Sequence, residues 1–203
     1  MNRRILKSDE SYTFRRYFEL KFAPEDILQE LGANLERANI VLSKSQLIES
    51  ARFESLRQRL NEAIAIVGLT SEAARREVLV APILLEVAFH TKATISIEYP
   101  IEVNQYLRGD LDYYLRSQHN LLVVEAKQAD LTRGFTQLAA ELIALCAWTE
   151  STDPILYGAV TTGDIWLFGY YEQERHRIVQ DLMLYRVPQD LEAVTAALIG
   201  ILG

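Results

Sequence analysis

LLVVEAK, residues 121–127, is an apolar strand that ends in a carboxylate and an ammonium. Successive residues of a strand point to opposite faces. Glu125 and Lys127 therefore point together into one site, and Ala126 points away from it. Four apolar residues in a row predict a strand buried on both faces. Taken alone, the pair reads as a salt bridge where the strand reaches the surface. The segments on either side decide whether it is more.

Downstream, ADLTRGFTQLAAELIALCAW (129–148) is a helix with Leu131, Leu138, Leu142 and Leu145 as its apolar stripe. PILYGAVTTG (154–163) is then a strand reached by a helical crossover, so it is predicted parallel to 121–127 and right-handed in its connection. Upstream, ATISIEYPIEV (93–103) alternates through Ile95, Ile97, Tyr99, Ile101 and Val103, which predicts one buried face. DLDYYLR (110–116) is a second strand, and RSQHN (116–120) turns it into the third. The three should form an antiparallel meander. Before the meander, SEAARREVLVAPILLEVAF (71–89) reads as a helix capped by Thr70, with Glu72 in its first turn and a kink or break at Pro82.

The N-terminal third reads as an extension. TFRRYFELKF (13–22) is aromatic and alternating, and predicts a strand. In APEDILQELGAN (23–34), Pro24, the first-turn acids and Gly32 punctuate a helix. From about Ser45 to Val67, Phe53, Leu56, Leu60, Ile64 and Val67 recur at helical spacing, and Gly68 ends the run. At the other end, DIWLFGYYEQE (164–174) and RIVQDLMLYRV (177–187) form a hairpin, and PQDLEAVTAALIGIL (188–202) a closing helix. The expectation is one α/β domain: residues 70–203 as its core, and residues 1–69 as a strand and helical extension packed upon it.

With 203 residues, 49% hydrophobic and 24% charged, the chain is long enough for one substantial core. No apolar run approaches the ~18–20 residues that span a bilayer, and no signal-peptide core follows the basic start. The single cysteine, Cys146, lies in an apolar stretch and reads as a buried thiol, which suits a reducing cytoplasm. The net charge of −7 weighs against a nucleic-acid partner at long range. The pairs Arg3–Arg4, Arg15–Arg16, Arg75–Arg76 and Arg175–Arg177 read, one by one, as solvated surface. His90, His119 and His176 have no zinc-ligand spacing. There is no GxxxxGK[ST] phosphate loop or GxSxG elbow, which disfavours a nucleotide-driven motor and a serine hydrolase.

Polar residues fall at telling places in the order helix, meander, helix, strand: Glu72, Asp112, Glu125 with Lys127, and Gln137. This order resembles the PD-(D/E)XK nuclease superfamily, the restriction-endonuclease-like fold, over Thr70 to Leu167. The strings SEAARREVLVAPIL, GDLDYYL, VVEAK, GFTQL and VTTGDIWLF look most like the N-terminal nuclease domain of type I restriction subunits and related small cyanobacterial and bacterial proteins. The resemblance implies a restriction-endonuclease-like core with a C-terminal hairpin and helix, and a Mg²⁺- or Mn²⁺-dependent endonuclease acting on DNA. Asp112, Glu125, Lys127, Glu72 and Gln137 would be its catalytic set. Asp112 and Glu125 would hold the metal, the Ala126 carbonyl would add an oxygen, and Glu72 would hold a second ion or bind through water. Lys127 would orient water or stabilise charge on the phosphate, and Gln137 would orient the lysine or touch the phosphate backbone. Asp110 competes with Asp112 but is placed in the turn after Gly109, and Glu98 is placed on the solvent side of an edge strand. Cutting two strands implies a homodimer or a partner subunit. The alternatives are a non-catalytic member of the fold that binds nucleic acid or regulates a partner, and an interaction module that docks through residues 24–67.

Overall fold

Strand β4 (Leu121–Ala126) lies inside an eight-stranded open sheet, which accounts for its composition. Leu122 and Val124 are fully buried in one core and Val123 in a second core on the other face. The structure, a computed structural model, describes residues 4–42, 49–117, 121–127, 130–149 and 153–203. Along the sheet the order is β1 (Asn34–Ala38), β7 (Arg177–Asp181), β6 (Ile165–Glu172), β5 (Ile155–Thr161), β4, β3 (Leu107–Arg116) and β2 (Thr94–Asn104). The short β8 (Tyr185–Arg186) pairs with β6. β2, β3 and β4 form the antiparallel meander, and β5 runs parallel to β4, as the sequence predicts. The remaining pairs are antiparallel except β1 with β7. The protein is thus a mixed α/β fold with an open, mostly antiparallel sheet.

Helices cover both faces. α3 (Ser50–Ile66), α5 (Ala81–Thr91) and α7 (Leu191–Leu202) pack on one through residues such as Leu56, Leu84 and Leu198. α1 (Phe14–Glu19), α2 (Pro24–Glu30) and α6 (Leu131–Thr149) cover the other through Phe14, Leu28 and Leu138. Cys146 is buried with this second group.

Four expectations are corrected. Residues 14–19 are helix α1 and not a strand, because Phe14, Tyr17 and Phe18 sit three and four apart, and the helix buries Phe14 and Tyr17 together. The N-terminal extension is not wholly helical beyond Pro24: NLERA forms β1, a polar edge strand that pairs with β7 and makes residues 34–38 part of the same sheet. Ser71, and not Thr70, caps the helix before the meander; its Oγ accepts from the Ala74 N–H at 3.1 Å. Ile97 is 59% exposed and departs from the buried row of β2, where Glu98 takes a positive φ of 52° and the strand changes face. The kink expected at Pro82 takes a definite form. α4 (Glu72–Arg75) passes into a π turn (Arg76–Val80), and the Ala81 N–H bonds back to the Arg76 carbonyl. The widened turn precedes the proline, which has no N–H to contribute.

α6 approaches β4 and β5 closely because Gly134 lacks a side chain. A Cβ there would lie 2.7 Å from Val160 Cγ2 and 3.2 Å from Lys127 Cγ. Gly134→Ala should therefore destabilise the fold by about 1–3 kcal/mol, in spite of the better helix propensity of alanine. Urea denaturation checks this, and Val160→Ala in the same chain should restore part of the loss; an alanine variant as stable as the parent would show that α6 stands off the sheet.

Candidate active site

Strand register brings the acids together. β3 and β4 pair from Arg116↔Leu121 to Tyr113↔Val124, so the next step of the ladder sets Asp112 opposite Glu125. Facing residues of an antiparallel pair lie on one side of the sheet, here the side covered by α6. Glu125 is 1% exposed and its Oε1 contacts the Lys127 ammonium, so the strand alternation places both side chains in one site as expected. The Lys127 backbone N–H bonds to the Thr161 carbonyl at 2.7 Å, which extends the β4–β5 pairing past the strand end. The ammonium also lies 5.4 Å from the centre of the Phe18 ring.

α6 supplies the roof. Asp130 Oδ1 accepts from the Arg133 N–H at 3.1 Å and starts the helix. Two turns on, Gln137 is buried. Its Nε2 donates to Glu125 Oε1 at 2.6 Å and to Glu141 Oε1 at 2.8 Å. Gln137 thus orients a carboxylate, where the sequence expectation had it orient the lysine or contact phosphate. Glu141 is fully buried and absent from the sequence-based set. Its signal was a single acid within the apolar run LAAELIAL, four residues after Gln137 and so on the same helix face.

Burial pushes the Glu125 carboxyl well above the usual range, with the Glu141 and Asp112 charges adding to the effect and Lys127 opposing it. Burial likewise pushes Glu141 up to about 7. At Lys127 burial opposes the charge, but the Glu125 carboxylate outweighs it and holds the ammonium charged. The consistent reading is a single titrating unit, with Lys127 charged and a proton retained between Glu125 and Glu141 near neutrality.

Asp112 is held from the other side. Arg76, in the π turn, lies 3.4 Å from Asp112 and 3.7 Å from Glu98, and its guanidinium stands over the Tyr113 ring at 5.3 Å. Arg75 donates to the Leu69 and Thr162 carbonyls and to Asp164, which ties the start of α4 to the β5–β6 turn. This arginine pair is a structural clamp and not solvated surface. Arg175 and Arg177 are likewise engaged, with Glu172 and Glu36.

Glu72, Asp112, Glu125, Lys127 and Gln137 all line one cleft of about 690 Å³. Glu98 and Asp110 line it too. Asp110 is an exposed strand residue opposite Pro100 and does not belong to a turn. Among the described residues no three carboxylate, imidazole or thiol groups converge as a ready ligand cluster. Glu72 shares the cleft with Asp112 and Glu125 without closing on them. The donor set nonetheless fits a hard divalent cation. Glu125 Oε2 is buried with no hydrogen-bond partner among the described residues, Asp112 lies across from it, and the Ala126 carbonyl belongs to the same strand end. Such ions need only one or two carboxylates and keep several waters. No protein-family model and no curated protein matches the chain. Among the described residues no helix is long and apolar enough to cross a membrane.

Glu141 yields a pH prediction. Its folded value, about 7, lies above the ordinary 4.5. The folded state therefore binds more protons between those values, and stability is full below about pH 4.5 and falls as pH rises through 7. In the presence of a chelator, Glu141→Gln should flatten this fall and raise stability at about pH 8 by roughly 3 kcal/mol at most. Urea denaturation at about pH 5 and pH 8 checks it; an equal loss at both would contradict the buried, protonated carboxyl.

Proposed function

We propose that this protein is a metal-dependent endonuclease that hydrolyses DNA phosphodiester bonds, built on a restriction-endonuclease-like core. Its support is the order helix, three-strand meander, helix, parallel strand, with Asp112 in mid-β3 opposite Glu125, and Lys127 at the end of β4, on the side that faces α6. The observation that carries the reading is the state of Glu125. A buried carboxylate at a strand end has one oxygen fixed by Lys127 and Gln137 and leaves the other without a described partner. A salt bridge alone would use an exposed pair and would not need a buried glutamine to aim it.

In this reading Asp112 and Glu125, with the Ala126 carbonyl, hold Mg²⁺ or Mn²⁺. When bound, the ion neutralises phosphate charge and acidifies a water at neutral pH. Lys127 stays charged beside Glu125, where it can hold the attacking water by hydrogen bond and offset charge that develops on the phosphate. Gln137 fixes the Glu125 carboxylate, and Glu141 fixes Gln137. Glu72 lines the same cleft and would reach the ion through water. Double-strand cutting by one site per chain calls for a second copy or a partner subunit.

A non-catalytic, nucleic-acid-binding or regulatory role is the second reading. One observation favours it: Lys127 and Arg76 already pair with Glu125 and Asp112. Supercoiled plasmid incubated with Mg²⁺ or Mn²⁺ separates the two. The wild-type protein should nick it, and Glu125→Gln should lower the rate by about 100-fold or more with unchanged circular dichroism. Equal nicking by both proteins, or none by either, removes the endonuclease reading.

A further inference from the structure

The cleft has a wall that the core does not supply. Helix α1 is fixed on the far end of the β2–β3 hairpin. The Tyr12 N–H bonds to the Gln105 carbonyl at 2.7 Å, Tyr17 Oη donates to the Tyr106 carbonyl at 2.5 Å, and Thr13 bridges to Arg108. Phe14 is buried against Gly109, whose φ of 136° and lack of a Cβ admit the ring; a Cβ there would lie 3.0 Å from it. With Phe14 and Tyr17 committed to the core, Arg15 and Phe18 are left to line the cleft, together with Arg133 on the first turn of α6.

The resulting arrangement is layered. The deep part holds Glu125 and Asp112, and three further acids, Glu72, Glu98 and Asp110, lie around it. The cations stand on the two walls, where the side chains of Arg15 and Arg133 are 85% and 47% exposed. Their partners, Glu19 and Asp130, are exposed neighbours on their own helix, and such pairs are weak. Phe18 is half-buried beside Lys127 and adds an aromatic surface between cation and floor.

A duplex is a stiff rod carrying one charge per ~1.7 Å of axis. Laid across this cleft it would meet exposed Glu98 and Asp110 with both strands, on a protein of net charge −7. A rigid, fully paired duplex also lowers a phosphate to a carboxylate that is 1% exposed less readily than a flexible strand, or a locally unpaired stretch of supercoiled plasmid, does. A single strand has lower charge density, bends at every nucleotide, and has bases that stack on aromatic rings. We propose that the cleft takes a single-stranded segment of nucleic acid. Its phosphates pass between Arg15 and Arg133, and a base rests against Phe18. The inference rests on the nucleic-acid reading above and deepens it: the preferred substrate is a single strand, a flap or a frayed end, and α1 is the device that selects it.

Fluorescence anisotropy tests it with the full chain, a labelled oligothymidylate of about 12 nucleotides and the matching duplex, at several salt concentrations with and without Mg²⁺. The single strand should bind about tenfold or more tighter than the duplex. The double variant Arg15→Ala with Arg133→Ala should lose about tenfold and lower the salt slope by about 1–2. Phe18→Ala should weaken binding and leave the slope unchanged, and Arg57→Ala on α3 should change neither. Equal or tighter duplex binding overturns the proposal. So does unchanged affinity and slope in the double variant, or competition by thymidine monophosphate as effective as by the oligonucleotide. Single-strand binding without cleavage would uphold this inference while the endonuclease reading fails. Duplex cleavage without single-strand preference would do the reverse.

Discussion

A carboxylate removed from water at the end of a strand must be compensated, and the compensation of Glu125 organises this molecule. Desolvating a charge costs several kcal/mol unless an opposite charge and hydrogen bonds replace the water. Here Lys127 supplies the charge from two residues along the same strand, and Gln137 supplies the hydrogen bond from the helix above. Both depend on α6 lying close to the strand ends, and Gly134 permits that approach. Gln137 in turn spans two acids, so Glu141 is bound into the same unit. The excess of carboxyl over ammonium in this unit makes it avid for a proton or a cation.

The other side of the site is built by the same logic with a different cation. Arg76 enters from the π turn and sits between Asp112 and Glu98. The turn and Pro82 widen the helix at the point where a side chain must reach the β2–β3 hairpin. Arg75 anchors the preceding turn to the β5–β6 loop, so the position of Arg76 is fixed against the strand that follows α6. The cleft is therefore assembled from four directions: the paired strands β3 and β4, the α6 helix, the π turn, and α1 as an outer wall.

Much of this was legible in the sequence because it rests on local periodicity. The buried run before Glu125, the meander, the crossover helix and the parallel strand all follow from spacing and turn residues. The misses have physical causes. NLERA is polar and short, as an edge strand can be, and it carries no alternation to mark it. In residues 14–22, Phe14, Phe18, Leu20 and Phe22 fit period two while Phe14, Tyr17 and Phe18 fit helical spacing, and only packing against Gly109 and Tyr106 separates them. Glu141 was not singled out, because a sequence does not show which acid on a helix faces a second acid on a strand. Arg76 looked like half of a surface pair, because its partners come from strands that follow it by some twenty and thirty-six residues.

A cation bound by the buried carboxylate unit, completed by Asp112, is what would make this cleft catalytic. Anomalous diffraction from crystals of the full chain soaked in Mn²⁺ addresses that directly. One anomalous peak is expected between the Asp112 and Glu125 carboxylates, with the Lys127 ammonium facing it. No peak at that position in crystals that carry Mn²⁺ elsewhere, with Lys127 and Arg76 still paired to the two acids, would contradict it.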